Sequence, residues 1–140
     1  MKIIRGLDSV TTAPDASLTV GSFDGVHLGH QRIISHMLRS GHRPVTVMTF
    51  DPHPQIVLRN YGDPPPQLTS FAERTEIFDK LGVDRLIITR FSDEFAAISA
   101  EDFIERILLK KIGMSSIFVG PTHGFGSGRK GDTDLSLIHI

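Results

Sequence analysis

The sequence predicts an α/β protein built on a doubly wound, Rossmann-like parallel sheet. Short apolar or β-branched runs alternate along the chain with stretches whose apolar residues recur at helical spacing. Because strands that alternate with helices pair in parallel through right-handed crossovers, this alternation predicts an open sheet covered by helices on both faces. No internal repeat and no linker divides the 140 residues, so we expect one domain.

Four strands are predicted from apolar runs that end in turn-forming residues. They lie at residues 18–22, 44–50, 84–90 and 116–120. Three unusual segments each directly follow one of these strands, at residues 21–30, 51–54 and 120–132. Since the carboxyl ends of parallel strands meet at one edge, where doubly wound sheets bind their ligands, we expect the functional site there.

Three helices are predicted between the strands. The first follows residue 30, and its apolar face comprises Ile33, Ile34, Met37 and Leu38. The second begins at a capping box formed by Ser70 and Glu73 and runs to Leu81. The third begins at a cap near Ser99 and ends at Gly113. Its predicted core residues are Phe103, Ile104, Ile107, Leu108 and Ile112.

Composition and charge disfavour several classes of function. Fifteen Lys and Arg against sixteen Asp and Glu leave a net charge of −1, so no domain-wide attraction to nucleic acid or to an anionic membrane is expected. Without cysteine, the chain forms neither disulfides nor thiolate metal sites. No apolar run reaches the roughly 18 residues of a membrane span, and residues 1–6 lack the apolar core of a signal peptide. We therefore expect a soluble, cytoplasmic protein with small-molecule partners.

The segment His27-Leu28-Gly29-His30 lies where a turn gives way to the first helix. Imidazoles three residues apart face the same side of a helix start, and the unpaired N–H groups there bind anions. Gly29 leaves no side chain between the histidines, so a phosphate can approach the backbone closely. In nucleotidyl transfer, such donors stabilise charge on the α-phosphate and on the departing pyrophosphate. His27 and His30 are therefore candidate catalytic donors, the alternative being two surface histidines that cap a helix.

Asp24 is a third candidate catalytic residue, with the role of orienting the attacking phosphate or a water-bound Mg²⁺ ion. A zinc site is disfavoured because the chain has neither cysteine nor an HExxH helix. No protein side chain is assigned as a metal ligand.

Four segments in order resemble signatures of the prokaryotic bifunctional riboflavin kinase/FAD synthetases, within the wider group of His-x-Gly-His nucleotidyltransferases. They are VGSFDGVHLGHQ at 20–31, TFDPHP at 49–54, FSDEFAAISAEDF at 91–103 and VGPTHGFGSGRKGD at 119–132. The resemblance covers about residues 18–132, and four ordered motifs are far more specific than any one of them. It implies a sheet of the nucleotidyltransferase type and FMN adenylyltransferase activity. The implied substrates are ATP and FMN with Mg²⁺, and the products are FAD and pyrophosphate.

The resemblance also assigns roles to particular residues. Those implied to bind ATP are Gly21, Ser22, Phe23, His27, Gly29 and His30. Those implied to lie near the flavin are Pro52, His53, Pro54, Thr122 and Phe125. The chemistry of these residues supports the flavin-binding role in part, because a proline-rigidified loop and an aromatic ring suit the stacking of a flat heterocycle. Without the resemblance, the segment Pro52-His53-Pro54 is equally well interpreted as a turn that ends a strand. Without it, Phe125 is interpreted as a core residue. Arg74 matches a family position, but we expect a solvated side chain.

Residues 120–126 depart from the family pattern, which has Asp or Asn in place of Thr122 and an aromatic residue in place of His123. Thr122 therefore replaces a carboxylate or amide side chain of the family pattern. Four glycines from residue 124 to residue 131 predict a mobile flap. On this flap Arg129 and Lys130 are candidate phosphate contacts, the alternative being two solvated cations.

We expect residues 1–134 to form an FMN adenylyltransferase domain that is incomplete at its C-terminus. The resemblance implies a further Ser-Ser-Thr and Arg signature and then a fused riboflavin kinase domain, which phosphorylates riboflavin to FMN; neither is present in the sequence. Residues 135–140 (LSLIHI) match the in-frame translation of a transposon mosaic-end sequencing adaptor, which predicts a non-native tail.

Two alternatives to FAD synthesis remain open on sequence grounds. Pantetheine-phosphate, nicotinamide-mononucleotide and glycerol-phosphate nucleotidyltransferases share the His-x-Gly-His segment and differ in the phosphate acceptor. They lack the Asp-Pro-His-Pro and glycine-rich segments in this order. A truncated chain that binds nucleotide or flavin without turnover is the second alternative, because a missing phosphate site removes several charge-assisted hydrogen bonds.

Overall fold

Five parallel strands form the central sheet in a computed structural model that describes residues 1–21, 23, 28–51, 71–90, 92–118, 124–125 and 131–132. The strands are β1 (Lys2–Arg5), β2 (Ser17–Val20), β3 (Val45–Phe50), β4 (Arg85–Thr89) and β5 (Ser116–Ile117). Their order across the sheet is β1-β4-β3-β2-β5, and every neighbouring pair is parallel. The predicted α/β class with a parallel sheet is confirmed.

Helices cover both faces of this sheet, so the doubly wound arrangement is also confirmed. The helices are α1 (Leu28–Ser40), α2 (Phe71–Leu81), α3 (Asp93–Ala96) and α4 (Ala100–Asp102), which continues as a π-helix over Phe103–Ile112. On one face, α1 and α2 pack on Val47, Leu86 and Ile88. On the other face, the π-helix packs on Leu18, Met48 and Ile87. Within the described part of the chain, no helix combines the length and apolarity needed to cross a membrane.

The predicted third helix is confirmed in position and in its core face, but its winding differs from the prediction. All five predicted core residues of this helix are buried. The hydroxyl of Ser99 accepts a hydrogen bond from the backbone N–H of Asp102 at 3.2 Å, as expected for a helix start. Gly113 ends the helix with a φ of 74°, in the left-handed region that glycine adopts without strain. Most of the helix is wound with i to i+5 hydrogen bonds rather than α-helical ones.

The elements that were not predicted include strand β1 and the short helix α3. Strand β1 has only four residues, of which Ile4 alone is buried, so it carries no clear alternation. It joins the sheet by pairing with β4, with Lys2 opposite Arg85 and Arg5 opposite Ile88. The short helix α3 begins at Ser92, whose side chain accepts a hydrogen bond from the backbone N–H of Phe95. Strand β1 matters for the site because it brings the first residues of the chain to the edge of the sheet.

The direction of chain progression reverses at β2. Strands β3 and β4 follow β2 on one side, whereas β5 lies on the other side. In doubly wound sheets this reversal leaves a crevice outside the carboxyl ends of the strands, and ligands bind there. The turn after β2 leads to α1 and therefore lies at this crevice.

A carboxylate at the opposite, amino edge of the sheet links strands β3 and β4. Asp84 accepts hydrogen bonds from Arg43 at 2.6 Å and from the backbone N–H of Val45 at 2.8 Å. Partial burial would raise the pKa of Asp84, but these two hydrogen bonds and the nearby positive charges together hold it below its usual value.

This lowered pKa predicts how acid affects stability. The ionised Asp84 stabilises the fold at any pH above its unfolded pKa of about 3.9, and this contribution is lost as the pH falls through the lower folded pKa. We expect the free energy of unfolding to fall more steeply below about pH 4 in the unmodified chain than in Asp84→Asn. Urea denaturation at a series of pH values measures this difference. Parallel curves for the two proteins would contradict the role assigned to Asp84.

Candidate active site

The turn after β2 is closely packed. The backbone N–H of Gly21 donates a hydrogen bond to the carbonyl of Met48 at 3.0 Å, which continues the β2–β3 pairing beyond the last strand residue. A Cβ atom at position 21 would lie 3.2 Å from the Cε2 and Cζ atoms of the Phe23 ring. Glycine at this position therefore lets the Phe23 ring pack against the backbone of the turn.

Phe23 anchors the turn in the core. Its side chain is 5% exposed, and its ring contacts Phe78 edge to face with a centroid distance of 5.7 Å. Its φ of 54° lies in the left-handed region, which costs a residue other than glycine about 1–3 kcal/mol and persists only where the surroundings hold it. Burial of the ring supplies that constraint. The backbone at Phe23 is thus held in place between β2 and α1.

His30 is positioned by this buried ring. It lies in the first turn of α1, it is half-buried, and its ring centroid is 4.8 Å from that of Phe23 at an interplanar angle of 78°. This edge-to-face geometry is the favourable one for aromatic pairs. Phe23 therefore acts as a positioning residue for the His30 imidazole.

The first turn of α1 is open to solvent. Leu28 is 74% exposed, Gly29 is exposed, and the first turn contains no acidic residue. A helix start carries a partial positive charge, and the described residues of this first turn add no carboxylate to oppose it. Its chemistry suits the binding of phosphate oxygens, with His30 as a further donor.

The structure brings Gly21, Phe23, Gly29 and His30 together at the carboxyl edge of β2. Phe125 lies in β6 (Gly124–Phe125), which pairs antiparallel with β7 (Gly131–Asp132), so the predicted glycine-rich flap contains a short pair of strands. The predicted site residues that lie outside the described part of the chain are Ser22, Asp24, His27, Pro52, His53, Pro54, Thr122, Arg129 and Lys130. The predicted tail at 135–140 and the capping residue Ser70 also lie outside it.

A cleft of about 370 Å³ at the same edge was not predicted. Its lining residues are Arg5, Gly6, Asp51, Ile88 and Arg90. The sequence placed Asp51 directly after the predicted strand at 44–50 and Arg90 at the end of the predicted strand at 84–90, while the strand that brings Arg5 to this edge was missed.

The expectation of a solvated Arg74 is wrong. The Arg74 side chain is 4% exposed, and its Cζ atom lies 5.7 Å from the centroid of the Phe71 ring. Contact with an aromatic face compensates in part for removing a guanidinium from water. Arg74 is therefore part of the packing beneath the site edge rather than a surface cation.

Among the described residues, no group of three or more His, Asp or Glu side chains is arranged to hold a metal ion. Magnesium retains much of its hydration and binds readily to substrate phosphates. The residues that the structure describes therefore do not form a protein cage for Mg²⁺.

The parallel sheet, the strand reversal at β2 and the helix that begins at this reversal together define a Rossmann-like domain of the nucleotidyltransferase type. The family model for FAD synthetase matches residues 9–137. The chain belongs to the FAD synthetase family.

Two proteins with sequences similar to this chain are named for FMN adenylyltransferase or FAD synthetase activity. The chain is 37% identical over 137 residues to the bifunctional riboflavin kinase/FMN adenylyltransferase of Escherichia coli K12, a match that covers 94% of this chain and 44% of that protein. It is 36% identical over 133 residues to the FAD synthetase of Listeria monocytogenes, covering 90% of this chain and 54% of that protein. The chain thus spans about half the length of the relatives it matches.

The fold also matches a solved structure. A crystal structure of a macrolide-efflux protein from Streptococcus pneumoniae superposes with a TM-score of 0.85 and 26% sequence identity. The superposition covers 100% of this chain and 47% of that one. The likeness extends over every element of the chain and supports the assignment of the fold.

Proposed function

We propose that this chain catalyses adenylyl transfer from ATP to FMN, giving FAD and pyrophosphate. The observation that carries the proposal is His30 in the solvent-open first turn of α1, at the point where the order of strands reverses. Membership of the FAD synthetase family supports the choice of FMN as acceptor. The alternative acceptors lack this support.

In the proposed reaction, a phosphate oxygen of FMN attacks the α-phosphorus of ATP. A new P–O bond forms, the bond from that phosphorus to the bridging oxygen of the β-phosphate breaks, and pyrophosphate leaves with the electron pair. The N–H groups at the start of α1 and the imidazole of His30 stabilise the negative charge on the phosphate oxygens. His27 and Asp24 remain proposed partners of His30, as donor and as orienting carboxylate.

The flavin-binding role of Pro52, His53, Pro54, Thr122 and Phe125 also remains a proposal. It is supported by their position in the chain, because residues 52–54 follow β3 and residue 122 follows β5. Both strands end at the same edge of the sheet as β2. Arg129 and Lys130, between β6 and β7, are proposed phosphate contacts because they are basic residues of the glycine-rich segment.

We further propose that Mg²⁺ enters as the MgATP complex, held by the phosphates and by water. A cytoplasmic location fits a reaction that consumes ATP, and the lack of cysteine fits a reducing compartment. The bifunctional relatives support a link to riboflavin phosphorylation, which would supply the FMN that this reaction consumes.

Pyrophosphate release with a panel of phosphate acceptors tests this function. With MgATP present, we expect FMN to support release at least about 100-fold faster than nicotinamide mononucleotide, phosphopantetheine or glycerol phosphate, because these acceptors leave polar groups of the site unpaired. Faster release with another acceptor would contradict the proposal. Binding of FMN without release of pyrophosphate would instead identify a fragment that binds its ligand without turnover.

A further inference from the structure

The outer edge of β1 carries backbone groups that no described strand uses. Among the described strands, β1 is outermost in the central sheet and pairs only with β4. The N–H groups of Lys2 and Gly6 donate to backbone carbonyls on the β4 side, at 2.8 Å and 2.9 Å. Because successive residues of a strand face opposite neighbours, the N–H and C=O groups of Ile3 and Arg5 point away from β4. The edge therefore offers two donors and two acceptors to a further strand.

An apolar surface lies beside this open edge. Ile3 is 45% exposed and Met1 is 37% exposed, and they account for two of the three exposed large apolar side chains among the described residues. Since they are two positions apart, both side chains project to the same face of the strand. Ile3 is paired with Leu86, so this is the face of the sheet that α1 and α2 cover. An added strand would find an apolar contact on this face.

Helix α2 runs along the same face of β1. At one end, the Cζ atom of Arg5 lies 5.3 Å from the centroid of the Phe71 ring. At the other end, the N-terminal ammonium of Met1 lies 3.4 Å from Oδ1 of Asp79. The two α2 residues are separated by about 12 Å of helix, and the two β1 residues by about 13 Å of strand. Ile3 therefore lies midway along a groove that α2 bounds on one side and the open edge on the other.

Cations stand at both ends of this edge. Lys2 and Arg5 are exposed, and neither forms an ion pair within 4.0 Å among the described residues. Contact with the Phe71 ring restricts the Arg5 guanidinium and leaves its N–H edge available to a carboxylate.

These charges select against a second copy of the chain. Antiparallel pairing of two β1 strands would place Lys2 of each copy opposite Arg5 of the other, and like charges directly opposite each other destabilise a strand pair. Charged residues on a short edge strand are a common protection against such self-association. The edge therefore favours a strand that brings carboxylates to these two positions.

We propose that the outer edge of β1 binds an extended segment of a partner protein, which adds to the sheet as an antiparallel strand. Antiparallel pairing is the more stable arrangement per residue, and it exchanges two hydrogen bonds at Ile3 and two at Arg5. The partner strand reads acidic residue, any residue, apolar residue, acidic residue, opposite Arg5, Ile4, Ile3 and Lys2 in turn. This interaction is separate from the proposed adenylyl transfer.

Fluorescence anisotropy with a labelled peptide that contains Asp-Thr-Val-Glu tests this inference. We expect saturable binding to the unmodified chain at low ionic strength, and binding at least about tenfold weaker when lysine replaces both acidic residues. N-methylation of the valine should also weaken binding about tenfold, because it removes an N–H group that points at β1. N-methylation of the threonine is the matched control. Its N–H group points away from β1, so its loss should change the affinity by less than about twofold.

Charge reversal in the chain tests the same surface from the other side. Arg5→Glu should weaken binding of the acidic peptide at least about tenfold, because it places like charges opposite each other. Lys110→Glu is the matched control, since Lys110 is an exposed cation on the π-helix, which covers the other face of the sheet. It should change the affinity by less than about twofold. Circular dichroism establishes that both variants fold.

The outcomes decide the inference independently of the enzymatic assay. Equal affinities for the two N-methylated peptides, or for the acidic and lysine peptides, would overturn it. Absence of saturable binding up to about 1 mM peptide would do the same. Self-association of the chain that Arg5→Glu abolishes would assign the edge to a second copy and would also overturn the inference. The comparison of N-methylated peptides uses the unmodified chain, so it does not depend on how any variant folds.

Discussion

Replacement of His30 by alanine is expected to lower the rate of FAD formation by about 100-fold to 1000-fold, the loss found when one preorganised donor to a developing negative charge is removed. The reason is geometric. The His30 ring lies in the first turn of α1 and is held 4.8 Å from the Phe23 ring, so it is in place before the substrate arrives. Steady-state kinetics with saturating ATP and FMN measures the loss, which should fall mainly on kcat.

His36 offers a matched control on the same helix. It is exposed and lies six positions further along α1, away from the helix start. His36→Ala should change the rate by less than about twofold, since surface substitutions away from special features have small effects. Equal losses in His30→Ala and His36→Ala would contradict a specific role for the helix start. A His30→Ala variant with unchanged kcat would contradict the catalytic role of His30.

Replacement of Phe78 by alanine is expected to lower the free energy of unfolding by about 3–5 kcal/mol. Phe78 is 1% exposed and packs in the cluster between the sheet and α1 and α2. This loss is a large fraction of the free energy of unfolding of a typical domain, which is about 5–15 kcal/mol. Urea denaturation followed by circular dichroism measures it. A loss below about 1 kcal/mol would contradict the packing described here.

The same substitution links the core to the site. The Phe78 ring contacts Phe23, whose left-handed backbone conformation depends on burial, and Phe23 in turn contacts His30. Where Phe78→Ala still folds, we expect kcat to fall as well, because the Phe23 ring loses its support. Leu28→Ala is the control for stability, since this side chain is 74% exposed and its removal should change the free energy of unfolding by no more than about 0.5 kcal/mol.

The sequence predicted the structure most accurately where residues close together in the chain determine it. The five apolar positions from Phe103 to Ile112 are all buried, because burial of apolar surface drives the packing of a helix on a sheet. Gly113 ended the helix as expected, since its left-handed conformation suits glycine. The sequence also placed His30 at the start of the first helix, where the structure has it.

Features that depend on distant parts of the chain were missed. Strand β1 is too short to show an alternation of apolar and polar residues. It is defined by its pairing with β4, which lies about eighty residues further along the chain. The burial of Arg74 depends on the Phe71 ring and on the packing of α2, which its own charge does not predict. The cleft of Arg5, Asp51 and Arg90 could be located only once the strand order was known, since these residues lie at the ends of three separate strands.

The central claim is that this chain joins AMP to FMN, and label transfer tests it most directly. The chain is incubated with FMN and with MgATP labelled at the α-phosphorus, and the labelled products are separated. The account predicts label in FAD, with one pyrophosphate released for each FAD formed, and loss of this label in His30→Ala. Label that remains in ATP, or that appears only in free AMP whether or not FMN is present, would contradict it.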